Sequence, residues 1–332
     1  MRTEGLRLAG RVAAVLAMAL LGAVGPAAAA RIVLVNMDDE EEGFNDPTPV
    51  ASVVGNPATT LGGQRVRVFE ATAWRLGILI ASPVEIRVEA SWDSLECSAT
   101  KGTLASAGPK FVFRDFPEAP RASTWYAAAL ADARAGEDLG SADEAEMAIT
   151  FNVDVGTAGC LASRQWDYRI GISRSAGFSM EQVLFHEMAH GINFTSFVDT
   201  ETGAKFQGLD DAYMVNLEDH TTGKRWGSMS NAQRLASMTR TGNLHWLGGN
   251  ALVQAVRLRA GAHAASGHPQ MYAPDPFEGG SSVSHWDTSL DRNVNEFMEP
   301  FATRSSTDLL SGHLLQDLGW SVNRSGVGWV ED

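Results

Sequence analysis

One stretch of thirteen residues, SMEQVLFHEMAHG at 179–191, constrains the fold more than any other part of the chain. Ser179 followed three positions later by glutamine is a capping-box pattern, and neither proline nor glycine interrupts the stretch before its last residue. The pattern predicts a helix on which His186 and His190 are one turn apart on one face, with about 6 Å between their β-carbons. We expect Gly191 to adopt a left-handed conformation and to end the helix directly after the second histidine.

This spacing suits a metal ion, because two neutral imidazoles one turn apart can bind the same zinc ion, each nitrogen about 2.0 to 2.1 Å from the metal. Glu187 directly follows the first histidine, and from there its carboxylate can reach a water on the metal without being a ligand. Zinc lowers the pKa of such a water to about 7, and a carboxylate can accept the proton. The pattern His-Glu-x-x-His is the signature of the zincin class. It predicts His186 and His190 as metal ligands and Glu187 as general base.

A catalytic zinc site needs a third protein ligand, which this helix does not provide. In the commonest elongated form of the motif it comes six residues after the second histidine, but Ser196 occupies that position and is a poor zinc ligand. The third ligand must therefore come from a distant part of the chain. The candidates are acidic residues such as Glu218 and the remaining histidines, which are His220, His245, His263, His268, His285 and His313.

A second distinctive stretch, GGSSVSHWDTSLDRNVNEFMEPFA, places His285 in a Ser-His-Trp-Asp sequence and Met298 thirteen residues later. With the order HEMAH, SHWD and EFMEP, the chain resembles the leishmanolysin-like metzincins, and more closely a group of secreted bacterial zinc peptidases of that type. The likeness covers nearly all of residues 31–320. Further stretches that carry it are GFNDPTP, NPATTLGGQR, TTGKRW, MSNAQR, QMYAPDPFEGGSSVSHWDTS and LLQDLGW.

The resemblance implies one catalytic Zn²⁺ ion bound by His186, His190 and His285, with Glu187 as the catalytic base and Met298 in a methionine turn beneath the metal. It also implies a zinc-dependent endopeptidase that hydrolyses protein or peptide substrates with a zinc-bound water activated by the glutamate. Relatives often carry a protease-associated domain inserted before the Ser-His-Trp stretch. The segment at this place is short here, so we expect the form that lacks the insert.

Several of these assignments have ordinary structural alternatives. His285 could be a loop histidine hydrogen-bonded to Asp287, and Met298 could simply belong to the core. Asn193 stands where relatives often have glycine, although asparagine also tolerates a positive φ. The other histidines have no motif context, so surface or supporting roles are the default for them. A tyrosine could stabilise an oxyanion, and the sequence does not select among Tyr126, Tyr168, Tyr213 and Tyr272.

The N-terminal residues have the pattern of a secretory signal. The basic start MRTEGLRLAGR precedes the apolar run VAAVLAMALLGAV, which is too short for a comfortable membrane-spanning helix, and Ala28 and Ala30 offer the small residues that a signal peptidase requires. We therefore expect a signal peptide at residues 1–30 and a secreted or periplasmic protein. An uncleaved N-terminal anchor is the alternative.

The net charge of the remaining chain indicates which classes of partner it disfavours. Residues 1–30 hold three arginines and one glutamate, so the rest has 23 basic and 39 acidic residues and a net charge of −16. Nucleic acid binding requires a basic surface, which this composition does not offer. We expect a monomer that, after signal cleavage, binds neither nucleic acid nor membrane.

Two further features are the pair of cysteines and an acidic run near the N-terminus. Cys97 and Cys160 are the two cysteines, and in an oxidising compartment such a pair most often forms a disulfide, although one thiolate could instead cap the metal. The acidic run in DDEEEGFNDPTP could bind calcium, but such runs are more often solvated loops. Calcium is therefore unsupported by the sequence.

The segments around the helix predict an α+β protein with a zincin-like metalloprotease fold. We expect a twisted sheet, a backing helix near residues 62–80, and the active-site helix in an N-terminal lobe at 31–200. A loop-rich C-terminal lobe at 201–332 would carry the third ligand and the methionine turn. In zincins an edge strand above the cleft pairs with extended substrate, and MAITFNV at 147–153 is our candidate for that edge.

A competing hypothesis is a catalytically inactive zincin-like binding or adhesion protein in which zinc is only structural. A structural zinc site has four protein ligands, whereas a catalytic site keeps one position for water. The presence of Glu187 favours the enzyme, since structural zinc has no need of an acid at that position. A zinc hydrolase acting on a non-peptide bond is a third hypothesis, which the sequence does not separate from the first.

Overall fold

The computed structural model describes residues 29–171, 177–291, 295–302, 306–307 and 309–323. Apart from Ala29 and Ala30, the predicted signal peptide lies outside these residues. Ala30 is buried, and its backbone N–H donates to the carbonyl oxygens of Gly77 and Ile80 at 2.8 and 3.0 Å.

The two longest helices are the ones that the sequence predicts best. The backing helix begins after Thr60, whose hydroxyl accepts a hydrogen bond from the Gly63 N–H, and the histidine-bearing helix begins after Ser179, whose hydroxyl accepts one from the Gln182 N–H. Both caps satisfy an N–H group that has no partner inside its helix. Among the described residues the α-helices are α1 (Leu61–Leu79), α2 (Ala128–Ala135), α3 (Met180–Gly191), α4 (Asn231–Ser237), α5 (Gly249–Ala255) and α6 (Leu309–Leu318).

The strands form one four-stranded sheet and several small ones. The larger sheet has the order β1-β2-β6-β3, in which β1, β2 and β6 are parallel and β3 is antiparallel to β6. The described strands are β1 (Ile32–Asn36), β2 (Ile86–Asp93), β3 (Ala105–Pro109), β4 (Val112–Phe113), β5 (Thr124–Ala127), β6 (Met147–Asn152), β7 (Trp166–Asp167), β8 (Phe178–Ser179), β9 (Asp210–Asp211), β10 (Leu217–Asp219), β11 (Lys224–Arg225), β12 (Leu244–Trp246), β13 (Asn295–Glu296) and β14 (Ser306–Thr307). The expected mixed α+β class is confirmed.

The expectation that residues 147–153 form the edge of the sheet is wrong. Strand β6 lies inside the sheet, with Met147–Asn152 pairing with β2 on one side and with β3 on the other. The antiparallel strand β3 is at that edge instead. Local alternation and position before a helix do not reveal which strands pair, so the sequence could identify β6 as a strand but not its place.

Helices α1 and α3 cover the same face of the four-stranded sheet. Helix α1 packs against β1, α3 packs against β3 and β6, and the two helices contact each other. Strand β2 alternates between buried and less buried residues, as a strand does when one face meets the core. The buried face of α1, which includes Val68, Phe69 and Leu76, joins the same hydrophobic core as Leu184 and Met188 of α3.

The chain after α3 consists mainly of loops and short elements. A three-stranded sheet of order β11-β10-β12 is extended by an isolated bridge between His245 and Gln270. The stretch DAYMVNLED forms a 3-10 turn at Met214–Asn216 followed by β10. Helices α5 and α6 pack against each other beyond this sheet.

Cys97 and Cys160 form a disulfide, as the sequence predicts. Because each sulfur is bonded to the other, the alternative in which one thiolate caps a metal is wrong. Within the described ranges, none of the helices combines the length and the apolar character that crossing a bilayer requires.

Candidate metal centre

Helix α3 presents His186 and His190 on one side and ends at Gly191. The structure gives a different reason for this glycine from the one that the sequence predicted. Gly191 is the last helical residue, but it does not have a positive φ. A β-carbon at this position would lie 2.4 Å from the sulfur of Met147 and 2.9 Å from its β-carbon. The expected left-handed conformation is therefore wrong at Gly191, and a close approach to β6 requires the glycine.

Asn193 supplies the left-handed turn instead, with a φ of 95°. Its side-chain oxygen accepts a hydrogen bond from the Ala127 N–H at 2.8 Å, which ties the turn to the start of α2. The turn carries the chain back so that the Phe194 carbonyl faces His190. Asparagine at this position therefore keeps the geometry after the second histidine, as its tolerance of positive φ predicts.

His285 reaches the same place from a loop that is held by backbone hydrogen bonds on both sides. The His285 carbonyl accepts from the Tyr272 N–H at 2.9 Å, and the next N–H, that of Trp286, donates to the Met298 carbonyl at 2.9 Å. The ring does not pair with Asp287, because its Nδ1 lies 2.8 Å from the Ser281 carbonyl oxygen. The alternative of an ordinary loop histidine bonded to Asp287 is therefore wrong.

The three imidazoles converge on one point. The Nε2 atom of His186 is 3.0 Å from that of His285 and 3.1 Å from that of His190, and the Nε2 atoms of His190 and His285 are 3.2 Å apart. Three nitrogens that share one tetrahedral zinc ion at about 2.0 to 2.1 Å are about 3.3 Å apart. The observed triangle is close to this spacing, so the three residues fit a single small cation.

The other ring nitrogens determine which tautomer faces that point. The Nδ1 atoms of His186, His190 and His285 lie 3.1, 2.8 and 2.8 Å from the carbonyl oxygens of three loop residues, Phe297, Phe194 and Ser281. Since a carbonyl oxygen only accepts, each Nδ1 carries the proton, and each Nε2 therefore presents a lone pair. Three lone pairs that face one another repel unless a cation lies among them, and this second set of bonds is typical of metal-binding histidines.

Burial keeps these rings neutral. It lowers the pKa of His186 to about 4 and that of His190 to about 3, where the nearby His186 also contributes. Burial also lowers the pKa of His285 well below its ordinary value. At neutral pH all three imidazoles are therefore in the form that binds metal.

Glu187 lies beside the three histidines without joining them as a ligand. It is not part of the group whose ligand atoms all lie within 4.8 Å of one another, which consists of His186, His190 and His285. The side chain is buried, and burial raises the pKa of its carboxyl to about 8. A divalent cation nearby would lower that pKa again. The Glu187 carboxylate is therefore buried and lies outside the group of potential ligand atoms.

The segment after His285 holds the histidines in place through its backbone carbonyl groups. The Phe297 carbonyl bonds His186, and the Phe297 ring lies 5.9 Å from the His186 ring. Met298 is fully buried, and its carbonyl bonds Trp286, whose indole N–H donates to the Ser311 hydroxyl. Both the methionine and the tryptophan thus have packing roles next to the histidines.

Among the described residues, two further groups of three potential ligands occur: Glu218 with His220 and His268, and Asp132 with Asp138 and Glu146. The sequence assigned the histidines of the first group surface or supporting roles by default. The one signal that could have found this group is that four of the chain's eight histidines lie between residues 220 and 268.

The acidic run, for which the sequence favours a solvated loop over a calcium site, forms a hydrogen-bonded loop. The carboxylate of Asp38 accepts from the backbone N–H groups of Phe44 and Trp92, both at 2.7 Å, and the Asn45 amide donates to the Asp38 carbonyl. These bonds give Asp38 a structural role, and calcium binding by the run stays a hypothesis. His313 lies on α6 and belongs to neither histidine group in the described residues.

Comparisons of the chain with models of protein families, with curated proteins and with solved structures found no match. A role for the protein therefore has to be argued from the geometry of its own residues.

Proposed function

We propose that the protein is a zinc-dependent endopeptidase with a zincin-like fold, in which His186, His190 and His285 hold one Zn²⁺ ion and Glu187 is the catalytic base. The observation that carries this proposal is the convergence of three Nε2 atoms within 3.2 Å of one another, each ring oriented by a backbone carbonyl, beside a buried carboxylate that is not a ligand.

Zinc is the metal that this donor set suits best. Three neutral imidazoles are borderline-soft nitrogen donors, and catalytic zinc sites commonly use three protein ligands. When bound, zinc supplies a Lewis acid for the scissile carbonyl and lowers the pKa of water into the neutral range. The chain's own residues then have to orient the ligands and to move the proton.

Glu187 is the residue that would move the proton. Its buried carboxylate accepts a proton from the attacking water and later delivers it to the leaving amine. The three backbone carbonyls meanwhile keep the imidazoles in the Nδ1-protonated tautomer throughout.

The hypothesis of a structural zinc in a binding or adhesion protein fits less well. A closed structural site would need a fourth ligand. In the part of the chain that the structure describes, no further His, Cys, Asp or Glu ligand atom joins the three histidines. A buried carboxylate beside a structural site would also cost stability without any benefit.

The expected family, substrate, oligomeric state and location of the protein remain part of the proposal. The resemblance to leishmanolysin-like peptidases agrees with the order of the histidine helix, the His285 loop and the Met298 segment. Strand β3 is at the edge of the sheet and pairs through Pro109 with Met147, which contacts Gly191 next to His190. We therefore expect extended protein or peptide substrate to pair with β3. We also propose that the protein is monomeric and acts outside the cytoplasm, where its disulfide is stable.

The test is the substitution Glu187→Gln, which removes the base and preserves the shape of the side chain. We expect the variant to bind zinc as the wild type does and to lose at least about 100-fold in kcat/KM, because proton transfer by a positioned side chain contributes that much or more. Casein cleavage, with and without a chelator, and zinc content by elemental analysis are the measurements.

The matched control is Glu70→Gln, the same chemical change at an exposed glutamate on α1. It should retain full activity. Wild-type cleavage rates in Glu187→Gln would show that the base is assigned wrongly, and cleavage that survives complete zinc removal would contradict the proposal as a whole.

A further inference from the structure

A second group of histidines lies on the short sheet of the C-terminal region, away from α3. Glu218 is on β10 and pairs in register with His245 on β12, and the N–H of His220 donates to the Asn243 carbonyl just beyond these strands. A tight hairpin brings His263 and His268 to the same place, with the His263 N–H bonded to the His268 carbonyl at 2.9 Å. The rings of His245 and His263 lie 4.4 and 3.8 Å from the ring of His220.

Three of these residues direct ligand atoms at one another. The Oε2 atom of Glu218 is 3.4 Å from the Nε2 atom of His220 and 3.3 Å from the Nδ1 atom of His268. The two ring nitrogens also lie within 4.8 Å of each other. The two oxygen–nitrogen separations match those between ligands that share one tetrahedral metal ion, which are about 3.3 Å.

The nitrogens in this group have no hydrogen bonds to account for their position. Among the described residues, the Nε2 of His220, the Nδ1 of His268 and the Nδ1 of His245 are buried polar atoms without a hydrogen-bond partner. The Glu218 carboxylate is at ion-pair distance from two of them, 3.4 Å from His220 and 3.3 Å from His268, and it opposes the effect of burial on the pKa of both rings. Buried polar atoms are nearly always paired in folded proteins, so three unpaired nitrogens in one place indicate a binding site for a ligand.

A metal ion satisfies these atoms better than protons do. Protonating two or more of the rings would place like charges next to each other, and burial and the neighbouring His263 lower the pKa of His220. Burial likewise lowers the pKa of His268. Side-chain exposures of 22% for Glu218, 13% for His220 and 18% for His268 leave a path for an ion to enter.

We propose that Glu218, His220 and His268 form a second binding site for a divalent transition-metal ion of the zinc class. Two imidazoles and one carboxylate are a donor set that such ions accept, and His245 offers one more unpaired nitrogen beside them. The ion would fasten the hairpin of residues 263–268 to β10. The same hairpin leads directly into Gln270 and Tyr272, which bond the backbone of Asp287 and His285. Metal at this site would thus stabilise the loop that carries the third histidine of the first site.

The test is to count metal ions in the full chain and in two complementary variants. Each protein is stripped with a chelator, dialysed against ZnCl₂ and then against metal-free buffer, and analysed for zinc. We expect two zinc ions per wild-type chain. The double variant His220→Asn/His268→Asn should keep one ion, the one at the first site. The double variant His186→Asn/His190→Asn should also keep one ion, the one at the second site, and should lose peptidase activity.

The second variant separates this inference from the proposed function, because its zinc reports on the second site alone. His313→Asn, a histidine change outside both groups, should keep both ions. Co²⁺ titration of the unmodified protein, followed by visible absorption, gives an answer that does not depend on whether a variant folds, and two binding phases are expected. Absence of bound zinc in His186→Asn/His190→Asn, or unchanged zinc in His220→Asn/His268→Asn, would overturn the proposal.

Discussion

Gly191 links the position of His190, a proposed metal ligand, to the packing between α3 and β6. The helix must bring His190 close to β6, and the side chain of Met147 fills the space where a β-carbon would be. An added methyl group would push α3 away from the sheet or force Met147 into another rotamer, either of which costs energy. The position of His190 therefore depends on the smallest residue coming directly after it.

Gly191→Ala should lower the free energy of unfolding by about 1 to 3 kcal/mol, the usual cost of overpacking. Gly312→Ala is the matched control, because Gly312 is inside α6 and a β-carbon there meets nothing within 4 Å. It should instead stabilise the protein by about 0.5 to 1 kcal/mol, since alanine is the better helix former. Denaturant unfolding measures both changes, and equal effects would show that contact with Met147 does not explain Gly191.

At the level of the elements, an ion pair joins the two long helices. Arg75 of α1 lies 2.9 Å from the buried Glu181 of α3, and the other oxygen of Glu181 accepts from the Gly171 N–H at 2.9 Å. Burial raises the pKa of Glu181, while the Gly171 N–H and the Arg75 charge lower it in part. The pair therefore holds α3 against α1 in the first turn of the helix that carries two histidines.

Arg75→Met should destabilise the protein by about 2 to 3 kcal/mol at pH 7, because it leaves a buried carboxylate without its cation. This is somewhat below the usual cost of breaking a buried pair, since Arg75 is 24% exposed. Loss of the cation raises the folded-state pKa of Glu181 further, so the folded variant binds more protons than the unfolded chain once the pH exceeds the ordinary value of 4.5. The deficit relative to wild type should therefore be small below that pH and grow as the pH rises.

The double variant Arg75→Met/Glu181→Gln is the control for this prediction. Glutamine can still accept from Gly171 and needs no cation, so most of the lost stability should return and the pH dependence of the deficit should disappear. Unfolding curves measured from pH 4 to pH 8 would show it. A deficit in Arg75→Met that does not change with pH would mean that packing of the arginine, not its charge, stabilises the helices.

On the scale of the whole molecule, the disulfide closes a loop of 63 residues that contains β3, β6, α2 and the small strands between them. This loop therefore carries both the edge strand and the strand that packs behind Gly191. Cys160 is buried with Val155 and Phe178 in a small cluster separate from the main core. The crosslink thus restricts the unfolded chain without being close to any of the three histidines in sequence.

Cys97→Ser/Cys160→Ser should lower the free energy of unfolding by about 4 kcal/mol, the chain-entropy value for a loop of this size. Zinc content should not change, since neither sulfur is a ligand. Denaturant unfolding with parallel zinc analysis checks both statements, and the wild type under reducing conditions should behave like the variant. A loss of one zinc ion in the variant at a temperature where it is folded would contradict the assigned ligands.

Local features could be predicted because their physical causes lie close together in the chain. A capping serine, an uninterrupted run of helix formers and a four-residue spacing place His186 and His190 on one face of α3, whatever the rest of the molecule does. The run MAITFNV was in the same way recognisable as a strand, and it forms β6. His285 was a candidate on its motif, but its spacing alone did not distinguish it from five other histidines.

The sequence by itself therefore determined the secondary structure around the first two histidines, the neighbouring carboxylate and the chain's acidic character. Only the tertiary structure decided which distant segments contact each other. It placed β3 and not β6 at the edge of the sheet, and it packed Met147 against Gly191. It brought His285 to His190 and His186, which precede it by 95 and 99 positions in the chain. It also gathered Glu218, His220 and His268, which no local pattern connects. The reason is physical, since strand pairing and loop closure depend on contacts between distant segments, and a local pattern of residues does not encode them.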